Sequence, residues 1–223
     1  FSPEDIIYLL FNKELPTAAQ STAFKADLAA RGHVPGGLAN VLQTLPTDGH
    51  PMDWLSVGIH TLGMLETTED WREDALNLIA RMPRLMGLIF RYREGRGADI
   101  ADDDTSKSLV QRFVDTVGVD EHLRAKMERV VSTYLVLHMD HGGGNLSTFT
   151  GKSIASGKAT VYSAIAGAMN ALSGPLHGRA NQSCLEFVLK IGTSDEAEVE
   201  QFVRNELKEG RPVFGFGHAV LSV

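Results

Sequence analysis

The sequence predicts an all-α protein on three observations. Apolar residues recur at steps of three and four along most of the chain, capping signatures open the periodic stretches, and no stretch shows the period-two alternation of a half-buried strand. Ser2-Pro3-Glu4-Asp5 places a capping hydroxyl, a proline at the first helical position and two acids in the first turn, ahead of the apolar run Ile6 to Phe11. Thr17 to Gln20 repeats the capping-box pattern, Phe24 and Leu28 then share a face, and Gly32 is expected to close that helix in a left-handed conformation. Pro35-Gly36-Gly37 reads as a short connector. From Pro51, the residues Met52, Leu55, Ile59 and Leu62 form one amphipathic stripe. A further helix runs from Trp71 with Leu76, Ile79 and Met82 inward. Pro83 is expected to kink or restart it, because proline lacks the backbone donor and crowds the preceding turn; Leu85, Met86 and Ile89 carry the apolar face on to Arg91 and Arg93.

Gly95 to Ser108, with Asp99, Asp102, Asp103 and Asp104, reads as an exposed loop. Leu123, Met127, Val130, Tyr134 and Leu137 form the next stripe, which Gly142-Gly143-Gly144 should stop. Ala159 to Leu172 is rich in Ala, Gly and Ser and almost free of charge, so it predicts a segment buried on most sides. Thr193 to Glu196 caps one more helix, with Val199, Phe202 and Val203 inward and Gly210 as its stop.

A chain of 223 residues with 43% hydrophobic residues can bury a sizeable core. The net charge of −7, with no run of Lys or Arg longer than a pair, argues against a nucleic-acid footprint. The single cysteine, Cys184, excludes a disulfide framework within one chain and fits a reducing compartment. No apolar run reaches bilayer length and no signal or transit pattern opens the chain, so a soluble cytoplasmic protein is expected. Phe1 in place of Met and the apolar end Ala219-Val220-Leu221-Ser222-Val223 lead us to expect that both ends are cut.

Of eight histidines, His141, His177 and His218 lie beside glycines, where a side chain on a turn can face a cleft. His33, His50, His60, His122 and His138 fall in connectors or helices and read as structural or solvent-facing. Ser173 to Gln182 turns through Gly174-Pro175 and presents His177 where another helix can begin. The positive end of a helix disfavours an imidazolium, and a neutral imidazole there can donate an N–H to an oxygen becoming an enolate; the plainer reading is a capping His in a packed turn. Arg211 to Ala219 is an extended apolar approach into Gly215 and Gly217, which lets backbone come close to a flat ligand. It lacks the third glycine and the strand-turn-helix setting of a dinucleotide fingerprint, and Gly142 to Gly144 lacks the Lys-Ser/Thr ending of a phosphate-binding loop. His138, Asp140 and His141 could suggest zinc, but no third strong ligand lies nearby, and we assign no metal.

Three motifs stand in order: His138-Met139-Asp140-His141-Gly142-Gly143-Gly144-Asn145, Gly174 to Gln182, and Gly215-Phe216-Gly217-His218-Ala219-Val220-Leu221. With the Tyr162 to Asn170 helix and the Glu14-Leu15-Pro16-Thr17 and His50-Pro51-Met52-Asp53 segments, they resemble the citrate synthase family over nearly the whole chain. The resemblance implies an all-α homodimer. Residues 1–177 would belong to a large domain and 178–223 would begin a smaller one that closes over the substrates. It implies condensation of acetyl-CoA with oxaloacetate, with acetyl-CoA as substrate and no tightly bound cofactor.

By the same resemblance, His177 matches the His that hydrogen-bonds the thioester oxygen as the methyl group loses its proton. His218 matches the His that polarises the oxaloacetate carbonyl, and His141 matches a second oxaloacetate-binding His. Val213, Phe214, Gly215, Phe216, Gly217 and Ala219 match the segment that cradles the adenine end of coenzyme A. The family's catalytic Asp and its carboxylate-holding arginines are expected beyond Val223, and Ser222 stands where the family often has an Arg. The location implied is the cytoplasm, or the mitochondrial matrix in a eukaryote. Two alternatives stay open: 2-methylcitrate synthase, which takes propionyl-CoA and differs by one methylene in a pocket, and a catalytically incomplete helical fragment.

Overall fold

The computed structural model describes residues 1–97, 104–140 and 142–216. Among the described residues there are eleven α-helices and no strand, in agreement with the all-α expectation. They are α1 (Pro3–Asn12), α2 (Ala18–Arg31), α3 (Gly36–Gln43), α4 (Pro51–Glu66), α5 (Trp71–Arg93), α6 (Leu109–Val117), α7 (Glu121–His138), α8 (Leu146–Ser156), α9 (Val161–Leu172), α10 (Ala180–Ile191) and α11 (Glu196–Lys208). The chain divides into two compact units, Phe1–Asn170 and Ala171–Val223.

Local chemistry opens the helices of the first unit where expected. The Ser2 hydroxyl accepts from the Asp5 N–H while the Asp5 carboxylate accepts from the Ser2 N–H, and Thr17 and Gln20 form the same reciprocal pair. Pro51 stands at the first position of α4, and the His50 side chain accepts from the Met52 N–H. The structure departs from expectation at Gly32, which ends α2 at φ −73°, in the right-handed region. Its lack of a side chain serves packing instead, since a Cβ there would fall 1.6 Å from the Arg112 guanidinium. Pro35-Gly36-Gly37 is not a connector, because Pro35 is the N-cap of α3, whose Leu38 and Leu42 are fully buried. Nor does α5 restart at Pro83; it is a single helix of 23 residues with the proline inside. The donor that Pro83 lacks costs less here because α5 is held along its length by α2, α3, α4 and α6.

The main core joins Leu38 and Leu42 of α3, Ile59 and Leu62 of α4, Leu85 and Ile89 of α5, and Tyr162 and Ala166 of α9. A second cluster joins Ile7, Leu28, Leu76, Ala80 and Leu109. Each fully buried Leu or Ile contributes about 1.5–3 kcal/mol relative to exposure. Leu109 lies on α6, a helix that the stripe-by-stripe reading passed over although Ser108 and Gln111 form its capping box.

The stripe Leu123, Met127, Val130, Tyr134 and Leu137 does lie on one helix, α7, but it is not inward: α7 buries no residue, and Leu137 is 72% exposed. On α9, Tyr162, Ala164, Ala166 and Ala168 are buried while Ile165 is exposed, so that helix is covered on one side rather than on most sides.

Charge pairs tie α6 to the start of α7. Burial pushes the Asp115 carboxyl up, but hydrogen bonds from Lys107, at 2.8 Å, and from Arg124 outweigh it and hold it below the usual carboxylate range. A depressed folded-state value means that the unfolded chain binds the proton first. The stabilisation is therefore complete above the ordinary aspartate value of about 3.9 and is lost as pH falls through the folded value. Asp115→Asn is expected to cost about 1 kcal/mol at neutral pH and low salt, with the deficit closing under acid, as denaturant melts from pH 7 downward will read.

Candidate active site

The second unit carries the described part of the sequence-predicted site. After Leu172 the chain passes through turns over Ser173–Arg179, where the His177 N–H donates to the Gly174 carbonyl at 3.0 Å and the His177 carbonyl accepts from the Ala180 N–H at 3.0 Å. Both backbone groups of His177 are thus engaged, which fixes the half-buried residue against the start of α10. His177 does not cap that helix; Arg179 is the N-cap, in right-handed geometry and without a side-chain cap bond. The turn is tight. A Cβ on Gly178 would lie 2.5 Å from Leu172 Cδ1 and 2.8 Å from the Leu172 carbonyl oxygen, so a side chain at 178 would force the His177 turn apart.

Segment 211–216 begins where Gly210, at φ +68°, ends α11. The Arg211 N–H returns to the Glu206 carbonyl at 2.9 Å, and its guanidinium meets both oxygens of the Glu206 carboxylate, Nε to Oε2 and Nη2 to Oε1, each at 2.7 Å. The Arg211 hydrogen bonds hold the Glu206 carboxyl below the usual range against the opposing effect of burial, and Lys190 at 3.6 Å adds to them. Arg211 to Val213 is irregular, and the chain then turns over Phe214 and Gly215, with the Phe216 N–H reaching back to the Val213 carbonyl at 3.4 Å. Phe214 sits edge-on to Phe187 of α10 with ring centroids 6.2 Å apart, and Phe187 in turn meets Phe202 of α11 at 5.5 Å. Gly215 adopts φ +93°, and a Cβ there would touch the Cys184 thiol at 3.4 Å. The Phe216 ring is 82% exposed.

The structure therefore brings Phe214 and Gly215 onto α10, the helix that follows the His177 turn. His141, Gly217, His218 and Ala219 lie outside the described residues. His138 uses its ring locally, with Nδ1 2.8 Å from the Tyr134 carbonyl and the imidazole stacked on Tyr134 at 4.0 Å, and Asp140 is exposed. Asp195 is the N-cap of α11, accepting from the Glu198 N–H at 3.0 Å. Sequence reasoning missed Glu206, whose pattern signal was an acid followed by Gly210-Arg211, and Phe187, which shares a face of α10 with Cys184.

Comparison with known proteins identifies the family. Residues 1–223 match the family described as citrate synthase, C-terminal domain. The mitochondrial 2-methylcitrate synthase of Yarrowia lipolytica is 32% identical over 238 residues, covering 98% of this chain and 51% of that protein. The mitochondrial citrate synthase of Saccharomyces cerevisiae is 33% identical over 240 residues, covering 98% of this chain and 49% of its own. The chain thus spans about half the length of the curated relatives it matches. The crystal structure of citrate synthase from Thermotoga maritima MSB8 superposes with a TM-score of 0.81 at 31% identity, covering 97% of this chain and 57% of that one. A citrate synthase from Thermoplasma acidophilum shares the fold, with a TM-score of 0.84 over 98% of this chain and 57% of its own, at 24% identity. With an all-helical architecture among the described residues and a family match over residues 1–223, the chain belongs to the citrate synthase family.

Proposed function

We propose that the protein is a citrate synthase, condensing acetyl-CoA with oxaloacetate and water to give citrate and coenzyme A, with no tightly bound cofactor. The observation that carries the reading is the family match over residues 1–223, which includes all three histidine motifs. A thioester methyl is a very weak acid, so its carbanion must be spread onto the thioester oxygen. His177 donates an N–H to that oxygen while a carboxylate base takes the methyl proton. The methyl carbon then attacks the oxaloacetate ketone, which His141 helps to hold and His218 polarises and protonates as the hydroxyl forms, and water cleaves the resulting thioester. Val213 to Ala219 cradles the adenine end of coenzyme A. Residues 1–177 belong to the large domain and 178–223 to the start of the small one, whose closure keeps water out until the carbon–carbon bond has formed.

The exposed apolar face of α7 supports a homodimer, because Leu123, Met127, Val130, Tyr134 and Leu137 would otherwise stay in water. The two curated relatives described above are mitochondrial, and a free thiol at Cys184 suits any reducing compartment; the cytoplasm is the location we propose. The likeness to a 2-methylcitrate synthase at 32% identity favours a second reading in which propionyl-CoA is preferred. One methylene in a pocket is worth about 1–3 kcal/mol, so the thioesters will differ by a measurable ratio. Thiol release by the full-length protein from each thioester, with and without oxaloacetate, tests both readings. We expect release that requires oxaloacetate and is faster with acetyl-CoA; a faster propionyl-CoA rate selects the second reading, and no release from either rejects both.

A further inference from the structure

We propose that Glu206 is a positioning residue for the thioester substrate, holding Arg211 and through it the turn at Phe214–Phe216 in its ligand-receiving shape. This inference rests on the proposed role of Val213 to Ala219 in holding coenzyme A. A short segment that leaves a helix through a glycine is free to swing, and a ligand that needs one conformation loses affinity in proportion to the fraction of time the segment spends elsewhere. Here three hydrogen bonds bind Arg211 to a single residue: its N–H to the Glu206 carbonyl at 2.9 Å and its guanidinium to both carboxylate oxygens at 2.7 Å. The bidentate fork fixes direction as well as distance.

Glu206 is 6% exposed, the lowest of any ionisable residue among the described residues of the second unit, and Lys190 supplies a second positive charge 3.6 Å from Oε1, the oxygen that also meets Arg211 Nη2. Lys190 also lies 5.4 Å from the Phe202 ring centroid, which ties the charge cluster to the aromatic one. Phe202 meets Phe187, and Phe187 meets Phe214, so the segment is gripped at Arg211 by charge and at Phe214 by aromatic edges. What lies beyond the two grips is Gly215, bent at φ +93°, and the exposed Phe216 ring, a flat apolar surface suited to a purine face. With the Arg211 side chain 46% exposed, the pair adds little to stability, while its bidentate fork still sets the direction of the segment. Glu206 does not itself touch substrate; it acts through Arg211.

The test uses the full-length protein with Glu206→Gln, which keeps length and an acceptor oxygen but removes the charge and the symmetric fork. Glu200→Gln is the control; it breaks the exposed pair between Glu200 and Arg204 on the same helix. KM for acetyl-CoA, KM for oxaloacetate, Tm, and the Kd of coenzyme A measured by calorimetry are compared with wild type. The expected result is a rise of about tenfold in KM for acetyl-CoA and in the Kd of coenzyme A, with KM for oxaloacetate and Tm close to wild type and Glu200→Gln unchanged throughout. Unchanged coenzyme A affinity in Glu206→Gln overturns the proposal, as does a fall in Tm accompanied by equal losses for both substrates, which marks the pair as merely structural. A wild-type protein that neither releases thiol nor binds coenzyme A overturns the functional reading itself, and the proposal with it.

Discussion

Replacing His177 by alanine is expected to lower kcat for oxaloacetate-dependent thiol release by about a hundredfold to a thousandfold, with KM for oxaloacetate little changed. The size follows from when the contact matters. The thioester oxygen carries little charge in the ground state and nearly a full charge as the methyl proton leaves, so a donor aimed at it stabilises the transition state more than the substrate. Alanine leaves the His177 backbone bonds to Gly174 and Ala180 in place, so the turn keeps its main-chain frame while the donor is gone. Steady-state kinetics on the full-length protein, with exchange of the acetyl methyl protons against deuterated water as a second reading, will show whether enolisation is the step lost. A variant that exchanges protons at the wild-type rate but fails to condense would move His177 out of enolisation and into the later chemistry.

The fold was legible where local chemistry and burial agree. Ser2 and Asp5, Thr17 and Gln20, Pro51 and Asp195 each start a helix by a mechanism visible in four consecutive residues, and Gly210 follows the end of α11 at positive φ. Failures came where a residue answers to a distant partner. Gly32 reads as a left-handed stop, yet it lies in the right-handed region and is small because Arg112 passes over it. Pro83 reads as a kink or a restart, yet α5 does not restart there, because neighbouring helices hold it along its length. The α7 stripe shows the limit of periodicity: a period of 3.6 says that five apolar residues share a face, and it does not say whether the cover comes from the same chain.

The site was legible as motifs rather than as geometry. His177 was picked out by the glycines and proline that bend its turn, and the structure explains one of those glycines, Gly178, by the approach of Leu172. Glu206 could not be picked out in the same way, because an acid near the end of a charged amphipathic helix is ordinarily a solvated residue. What distinguishes it is the return of Arg211 after Gly210, a contact made by a turn whose direction depends on Phe187 and Phe214.

The largest stability effect is expected at Tyr162, where alanine should cost about 3–5 kcal/mol and phenylalanine about 1–3 kcal/mol. The ring is fully buried at the start of α9 and rests on Gly63 of α4, where an added Cβ would stand 2.7 Å from Tyr162 Cβ. Its hydroxyl donates to Glu66 Oε1 at 3.2 Å, and Glu66 pairs with Arg81 of α5, so one side chain joins three helices. Burial raises the phenol far above its ordinary range, with the Glu66 charge adding to it, and so keeps it a donor. Burial likewise pushes the Glu66 carboxyl up, against the lowering effects of Arg81 and of the Tyr162 hydrogen bond.

Taking the hydroxyl away should raise Glu66 further. A carboxyl whose folded value lies above its unfolded value keeps its proton longer in the native state, so its contribution to stability falls as pH rises through that window. The Tyr162→Phe deficit should therefore be larger at neutral pH than in mild acid, because the raised Glu66 carboxyl takes up its proton earlier in the native state and a neutral carboxyl needs the hydroxyl less. Denaturant melts of both variants at the two pH values separate the terms: the alanine deficit is mostly lost volume and persists, while the phenylalanine deficit shrinks with acid. A phenylalanine variant that loses nothing at either pH would mean that water or Arg81 replaces the hydroxyl at Glu66, leaving ring volume alone to hold α9 against α4.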